Sequence, residues 1–206
     1  MLTVLKENYF FAVIRGKDEN DAKEISRHAI KGGIRNIEIT FSTPDATKVI
    51  RDLSEEFADE NNVVIGAGTV MNVTLAKEAI EAGAIFLVSP HFSEDIQKVA
   101  QENNVLYFPG CATVTEVVTA MNAGCPIMKV FPGGIVGPGF IKDIHGPIPE
   151  VDLMPSGGVS ASNVADWKKA GACAVGIGSA LAARVPEEGY ESVARIAREF
   201  VAAVGG

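Results

Sequence analysis

At 206 residues, 47% hydrophobic and 21% charged, the chain is sized and composed for one globular domain, 1–206, with a sizeable core. No run approaches the roughly eighteen apolar residues of a membrane span, and a formal net charge of −8 argues against nucleic-acid or anionic-membrane partners. The start, Met1-Leu2-Thr3-Val4-Leu5-Lys6-Glu7, lacks the basic-then-apolar order of a signal peptide; three scattered cysteines (Cys111, Cys125, Cys173) predict neither a disulfide framework nor a zinc site, and fit a reducing cytoplasm. A small anionic substrate stays possible, because local cations and helix N-termini act irrespective of net charge.

Along the chain, short apolar runs alternate with amphipathic segments. The runs cover 10–15, 36–41, 63–69, 85–90, 105–109, 127–132, 151–156 and 174–179. Most are β-branched or aromatic and nearly continuous, as expected of strands covered on both faces. Helices are predicted between them at 20–31, 74–82 and 93–102, and at the end over 188–204. Their expected N-caps are Asn20 or Asp21, Ser93, Thr113, and Ser160 or Ser162. Gly33, Gly83, Gly124 and Gly171 each stand just before the next run, where a left-handed C-cap turns a helix back into a strand. Eight runs with seven intervening helices and a final one predict a (β/α)₈ TIM barrel; the rival, an open doubly wound sheet, lacks its Gly-rich fingerprint after the first run.

In such a barrel, chemistry sits at the C-terminal ends of the strands. Three runs carry a charge there or within: Arg15, Glu38 and Lys129. Lys129 lies among Ile127, Met128, Val130 and Phe131, so its ammonium must be desolvated or find a way out. Desolvation favours the neutral amine, a nucleophile toward carbonyls; snorkelling to water or a structural ion pair is the alternative. If Ile37 and Ile39 face the helices, the period of two turns Glu38 inward, either as a proton carrier beside Lys129 or as its structural partner. Asp152, at the opposite end of its strand, reads as solvated. Two Gly/Ser turns, Ser156-Gly157-Gly158-Val159-Ser160 and Gly176-Ile177-Gly178-Ser179, follow the last two runs, where barrels of this kind hold phosphate. His28 and His145, the latter read in a loop, are expected at the surface; His91 follows the fourth run, near the mouth, and is discounted as a site residue. No His, Asp and Glu pattern predicts a metal site.

The chain resembles the 2-keto-3-deoxy-6-phosphogluconate (KDPG) / 4-hydroxy-2-oxoglutarate (KHG) aldolase family over essentially its whole length. The marks are Gly32-Gly33-Ile34 leading to Ile37-Glu38-Ile39-Thr40, then Gly66-Ala67-Gly68-Thr69-Val70, Ser89-Pro90-His91, Pro109-Gly110, Lys129-Val130-Phe131-Pro132 and Pro155-Ser156-Gly157-Gly158-Val159. The resemblance implies a class I aldolase that cleaves a 2-keto acid, often phosphorylated, without a cofactor. By it Lys129 would be the Schiff-base lysine, Glu38 the general acid/base, Thr69 a carboxylate contact and Phe131 a packing surface. Ser156, Gly157, Gly158, Gly178 and Ser179 would form the phosphate site. It also implies a homotrimer. Many members carry an arginine four residues after the glutamate; here Ser42 stands there, and Arg15 is the expected substitute for gripping the substrate carboxylate. An epimerase- or transferase-like phosphate-binding barrel, a galactonate-series aldolase of the same family, or a catalytically silent oligomeric barrel are the rival readings.

Overall fold

Nearly continuous apolar runs become parallel strands here, with side chains packed on both faces. The computed structural model describes residues 1–205. Its first half runs α1 (Leu2–Asn8), β1 (Phe10–Ile14), α2 (Glu19–Lys31), β2 (Asn36–Thr40), α3 (Ala46–Glu56), β3 (Val64–Gly68), α4 (Val73–Glu81), β4 (Phe86–Val88) and α5 (Glu94–Glu102). The second runs β5 (Leu106–Phe108), β6 (Gly110–Cys111), α6 (Val114–Asn122), β7 (Met128–Val130), α7 (Gly133–His145), β8 (Leu153–Pro155) and α8 (Val164–Lys169). Then come β9 (Val175–Ile177), α9 (Ser179–Ala182), α10 (Val185–Glu188) and α11 (Glu191–Val204).

All pairings are parallel. One sheet has the order β5-β4-β3-β2-β1-β9 and the other β6-β7-β8, and together they curl as a half-barrel with helices outside. Pro109, which has no N–H for a ladder, divides β5 from β6, so one chain path pairs first with β4 and then with β7. A parallel bridge from Ser156 to Gly176 links the far sides of β8 and β9.

Strand alternation sorts the core into two layers. Ala12, Ile14, Ile37, Ile39, Ala67, Leu87, Val130 and Ile177 pack outward against the helices. Phe11, Val64, Phe86, Phe108, Ile127, Met154 and Ala174 pack inward on one another, with the Phe11 and Phe86 rings edge to face at 5.2 Å. Leu5 of α1 completes this inner layer. The sequence reading has no α1, since seven residues are too few to show a helical period. The helix is fixed by tertiary contacts: Leu5 is fully buried, its carbonyl accepts Asn36 Nδ2 at 2.9 Å, and Lys6 pairs with Asp152 at 2.7 Å. Asp152 is therefore an anchor for α1 and not a solvated strand end.

The glycine C-caps hold, with φ of 100°, 101°, 85° and 101° at Gly33, Gly83, Gly124 and Gly171. Ser93 and Thr113 cap as expected, Thr113 in a reciprocal capping box with Glu116. Two caps differ. Asp18, not Asn20 or Asp21, starts α2, its carboxylate accepting from Asp21 N–H. Asn163, not Ser160 or Ser162, precedes α8, and its side chain is taken up by Ser160 N–H at 2.8 Å. His145 ends α7 instead of lying in a loop, with Nε2 3.0 Å from the Val151 carbonyl.

If α1 closes the inner core, Leu5→Ala should lower the unfolding free energy by about 2–5 kcal/mol, the usual cost of a buried Leu cavity. Denaturant titration measures it, and a loss below about 0.5 kcal/mol would mean that α1 only decorates the surface.

Candidate active site

Ile37 and Ile39 pack on the helices, so the period of two directs Glu38 and Thr40 of β2 to the concave side. In β7 the same rule sends Met128 and Val130 outward and Lys129 inward. The two side chains reach each other from opposite walls, with Lys129 Nζ 3.7 Å from Glu38 Oε1. Glu38 is 1% exposed and Lys129 5%. At this separation they attract without sharing a hydrogen bond. Among the described residues, neither carboxylate oxygen of Glu38 has any hydrogen-bond partner. A buried carboxylate with both oxygens unpaired is expensive for a merely structural group. The ammonium also lies 5.3 Å from the Phe131 ring centroid, close enough for cation–π attraction.

Room for this pair is made by missing side chains. A Cβ on Gly68 would strike Glu38 Oε1 and come within 2.7 Å of its Cγ and 2.8 Å of its Cδ. A Cβ on Gly66 would sit 2.6 Å from the Phe86 ring. Glycine at these two points of β3 lets Glu38 lie across its neighbouring strand while the aromatic layer closes up beneath. That role for Gly68 was not read from the sequence, where the motif gave only the glycine itself.

At the end of β3, Thr69 takes φ 57°, an outlier for a β-branched residue that costs on the order of 1–3 kcal/mol. Beside it on the β2 side, Thr40 Oγ1 donates to the Ile14 carbonyl at 2.8 Å and lies 2.7 Å from Ser42 Oγ. Ser42 thus belongs to a hydroxyl chain at the C-terminal ends of β1 and β2.

The predicted anion turns come together in a cavity of about 490 Å³ lined by Ser156, Gly157, Gly158, Ser160, Gly178, Ser179 and Arg15. Gly157 and Gly158 have φ of 87° and 73°, which only glycine adopts freely in succession. Gly158 also approaches Gly134 so closely that a Cβ would lie 2.6 Å from its Cα. Ser156 is buried, with Oγ against Gly176, while Ser179 is exposed at the start of α9. Arg15 is exposed, and its Nη1 reaches to 3.4 Å from the Cβ position of Gly178. It pairs with no carboxylate among the described residues.

His91 is exposed and contributes its carbonyl to Tyr107 at 3.0 Å. His28 is half-buried in α2, with Nδ1 2.8 Å from the Glu24 carbonyl. Burial pushes the thiols of Cys111, Cys125 and Cys173 up to about 12, so none is a ready nucleophile. Among the described residues, no three His, Cys, Asp or Glu side chains gather as metal ligands, and no helix is long and apolar enough to cross a membrane.

Comparison with known proteins meets this geometry. Residues 1–196 match the family model described as KDPG and KHG aldolase. The KHG/KDPG aldolase of Escherichia coli K12 is 32% identical over 195 residues, covering 92% of this chain and 89% of that protein. A solved structure of native KDPGal superposes with a TM-score of 0.86 at 29% identity, covering 94% of this chain and 93% of the other. The KDPG aldolase of Legionella pneumophila, captured with pyruvate as a covalent carbinolamine, superposes at 0.84 with 27% identity and 95% coverage of both chains.

The Lys129–Glu38 pair generates a stability prediction. Lys129→Met leaves a carboxylate buried alone and should cost about 3–5 kcal/mol, whereas Lys129→Met with Glu38→Leu should recover most of that loss. Denaturant unfolding of both variants checks it; equal stabilities would mean that the two charges do not interact.

Proposed function

The chain belongs to the KDPG and KHG aldolase family, which makes it a carbon–carbon lyase, and we propose that it cleaves a phosphorylated 4-hydroxy-2-keto acid through Lys129. The family works through a covalent Schiff base with its substrate and takes no cofactor. The observation that carries the assignment to particular residues is the buried amine of Lys129 facing an otherwise unpartnered carboxylate at 3.7 Å.

Glu38 takes a proton from the Lys129 ammonium, the freed amine attacks the C2 ketone, and Glu38 returns that proton to the carbinolamine hydroxyl, which leaves as water. Glu38, now a carboxylate, takes the proton of the C4 hydroxyl. The C3–C4 bond breaks, its electron pair moves into the protonated imine, and an aldehyde departs. The enamine left on Lys129 is protonated at C3 and hydrolysed to pyruvate. The cationic nitrogen stabilises the developing carbanion. Thr69 and the hydroxyls of Thr40 and Ser42 stand at the strand ends beside Glu38, where the keto-acid carboxylate would lie, and Phe131 packs beside Lys129.

Arg15 meets the Ser156–Ser160 turn and Gly178 in one cavity, a placement that favours a distal phosphate over the carboxylate as its partner. KDPG, with pyruvate and glyceraldehyde 3-phosphate as products, is the substrate this favours. Its C4 epimer in the galactonate series and KHG, which yields glyoxylate, fall within the same chemistry. The continuity of β5 into β6 and the Ser156–Gly176 bridge support reading the curled sheets as a closed (β/α)₈ barrel in one domain. We place the enzyme in the cytoplasm, on its three free cysteines, and as a homotrimer, on family resemblance.

Borohydride reduction with pyruvate should leave one reduced pyruvyl group on Lys129, located by peptide mass spectrometry; an unlabelled Lys129 would sink the assignment. Arg15→Ala should raise KM for KDPG by about ten- to a hundredfold, the range for losing a charge-assisted hydrogen bond, and leave KM for KHG within about twofold.

A further inference from the structure

The turn that carries Arg15 from β1 into α2 is held from three sides. Gly16 N–H donates to Thr43 Oγ1 at 3.1 Å. Lys17 N–H donates to Asp21 Oδ2 at 2.9 Å. The other oxygen of Asp21 accepts the Tyr190 hydroxyl at 2.8 Å, a contact between residues 169 apart in the chain. Gly16 lies flat on α2, where a Cβ would come 2.6 Å from Ala22 N.

Asp21 stands in the first turn of α2 without being its cap. The cap of α2 is Asp18, which already takes the Asp21 N–H. Yet Asp21 is 7% exposed, and both of its carboxylate oxygens are spent on the turn and on Tyr190. A buried carboxylate with this arrangement fixes the two groups it accepts from relative to each other. Tyr190 is itself set: its ring stacks on His28, with centroids 6.0 Å apart and planes 27° from parallel. Its hydrogen bond to Asp21 pushes the phenol up to about 12, so it remains a donor at neutral pH. Arg15, Lys17, Asp21 and Tyr190 line one groove, and Arg15 continues from it into the cavity of the Ser156–Ser160 turn.

We propose that Tyr190 is a positioning residue: through Asp21 and the Lys17 backbone it fixes the turn from which Arg15 reaches the distal anion cavity, and so sets the preference for phosphorylated over unphosphorylated keto acids. This rests on the reading of Arg15 as the phosphate contact.

Tyr190→Phe removes the hydroxyl and keeps the ring stack. KM for KDPG should rise about tenfold with kcat within about twofold. KM and kcat for KHG, and borohydride trapping of pyruvate on Lys129, should be unchanged. Asp21→Asn, which cannot accept from both donors, should shift KDPG in the same direction. Equal rises in KM for both substrates would reveal general loosening and overturn the proposal, as would an unchanged KDPG KM. Arg15→Ala, assayed in parallel, separates the two layers. If it removes the preference for phosphate while Tyr190→Phe preserves it, the positioning role alone falls. If Arg15→Ala also preserves the preference, the phosphate reading falls and the positioning role with it.

Discussion

A lysine and a glutamate from opposite walls meet on the concave side of an apolar sheet, and nothing else within the described structure satisfies the carboxylate. Such a pair is a liability to stability unless each charge has a partner. The surrounding architecture can be understood as what makes it tolerable. Strand alternation brings both groups to one side, the glycines of β3 give Glu38 its space, and the Phe131 ring shares the lysine's charge. Beneath them the rings of Phe11, Phe86 and Phe108 exclude water, so the attraction between amine and carboxylate acts at low dielectric.

The remainder of the site is built on a different principle. At the distal end the groups that would hold an anion, apart from the buried Ser156, are partly or fully exposed and mostly backbone: glycines with positive φ, hydroxyls, and one arginine without a carboxylate partner among the described residues. The deep pair is set by strands, which are rigid, whereas the distal cavity is assembled from turns. That division suits an enzyme family in which the keto-acid half is shared while the remainder of the substrate varies.

Much of this was legible in the chain itself. The eight apolar runs, the C-cap glycines and the inward turn of Glu38 and Lys129 all follow from periodicities of 2 and 3.6, which are local properties. What escaped was decided by contacts between distant residues. α1 is too short for a pattern and exists because Leu5 finds the inner core and Lys6 finds Asp152. Asp18 outcompeted its neighbours as a cap because its backbone is extended there, at φ −152°. Arg15 stands out in the sequence, but a long side chain at a strand end can reach several places. Its approach to Gly178 starts from a turn held by α2, the β2–α3 loop and Tyr190 at the N-cap of α11.

The floor laid by α1 and the aromatic layer bears on traffic. With Leu5 and three phenylalanines packed across the N-terminal end, the doorway on the proposed chemistry is the opposite rim, lined by Arg15 and the Ser156–Ser160 turn. On the proposed chemistry, the pyruvyl half is tethered at the back wall and the aldehyde half stands between it and that doorway. Departure must then run last in, first out: the aldehyde clears the passage before the hydrolysed keto acid can follow. In the synthetic direction the order inverts, and pyruvate must be seated before its partner arrives.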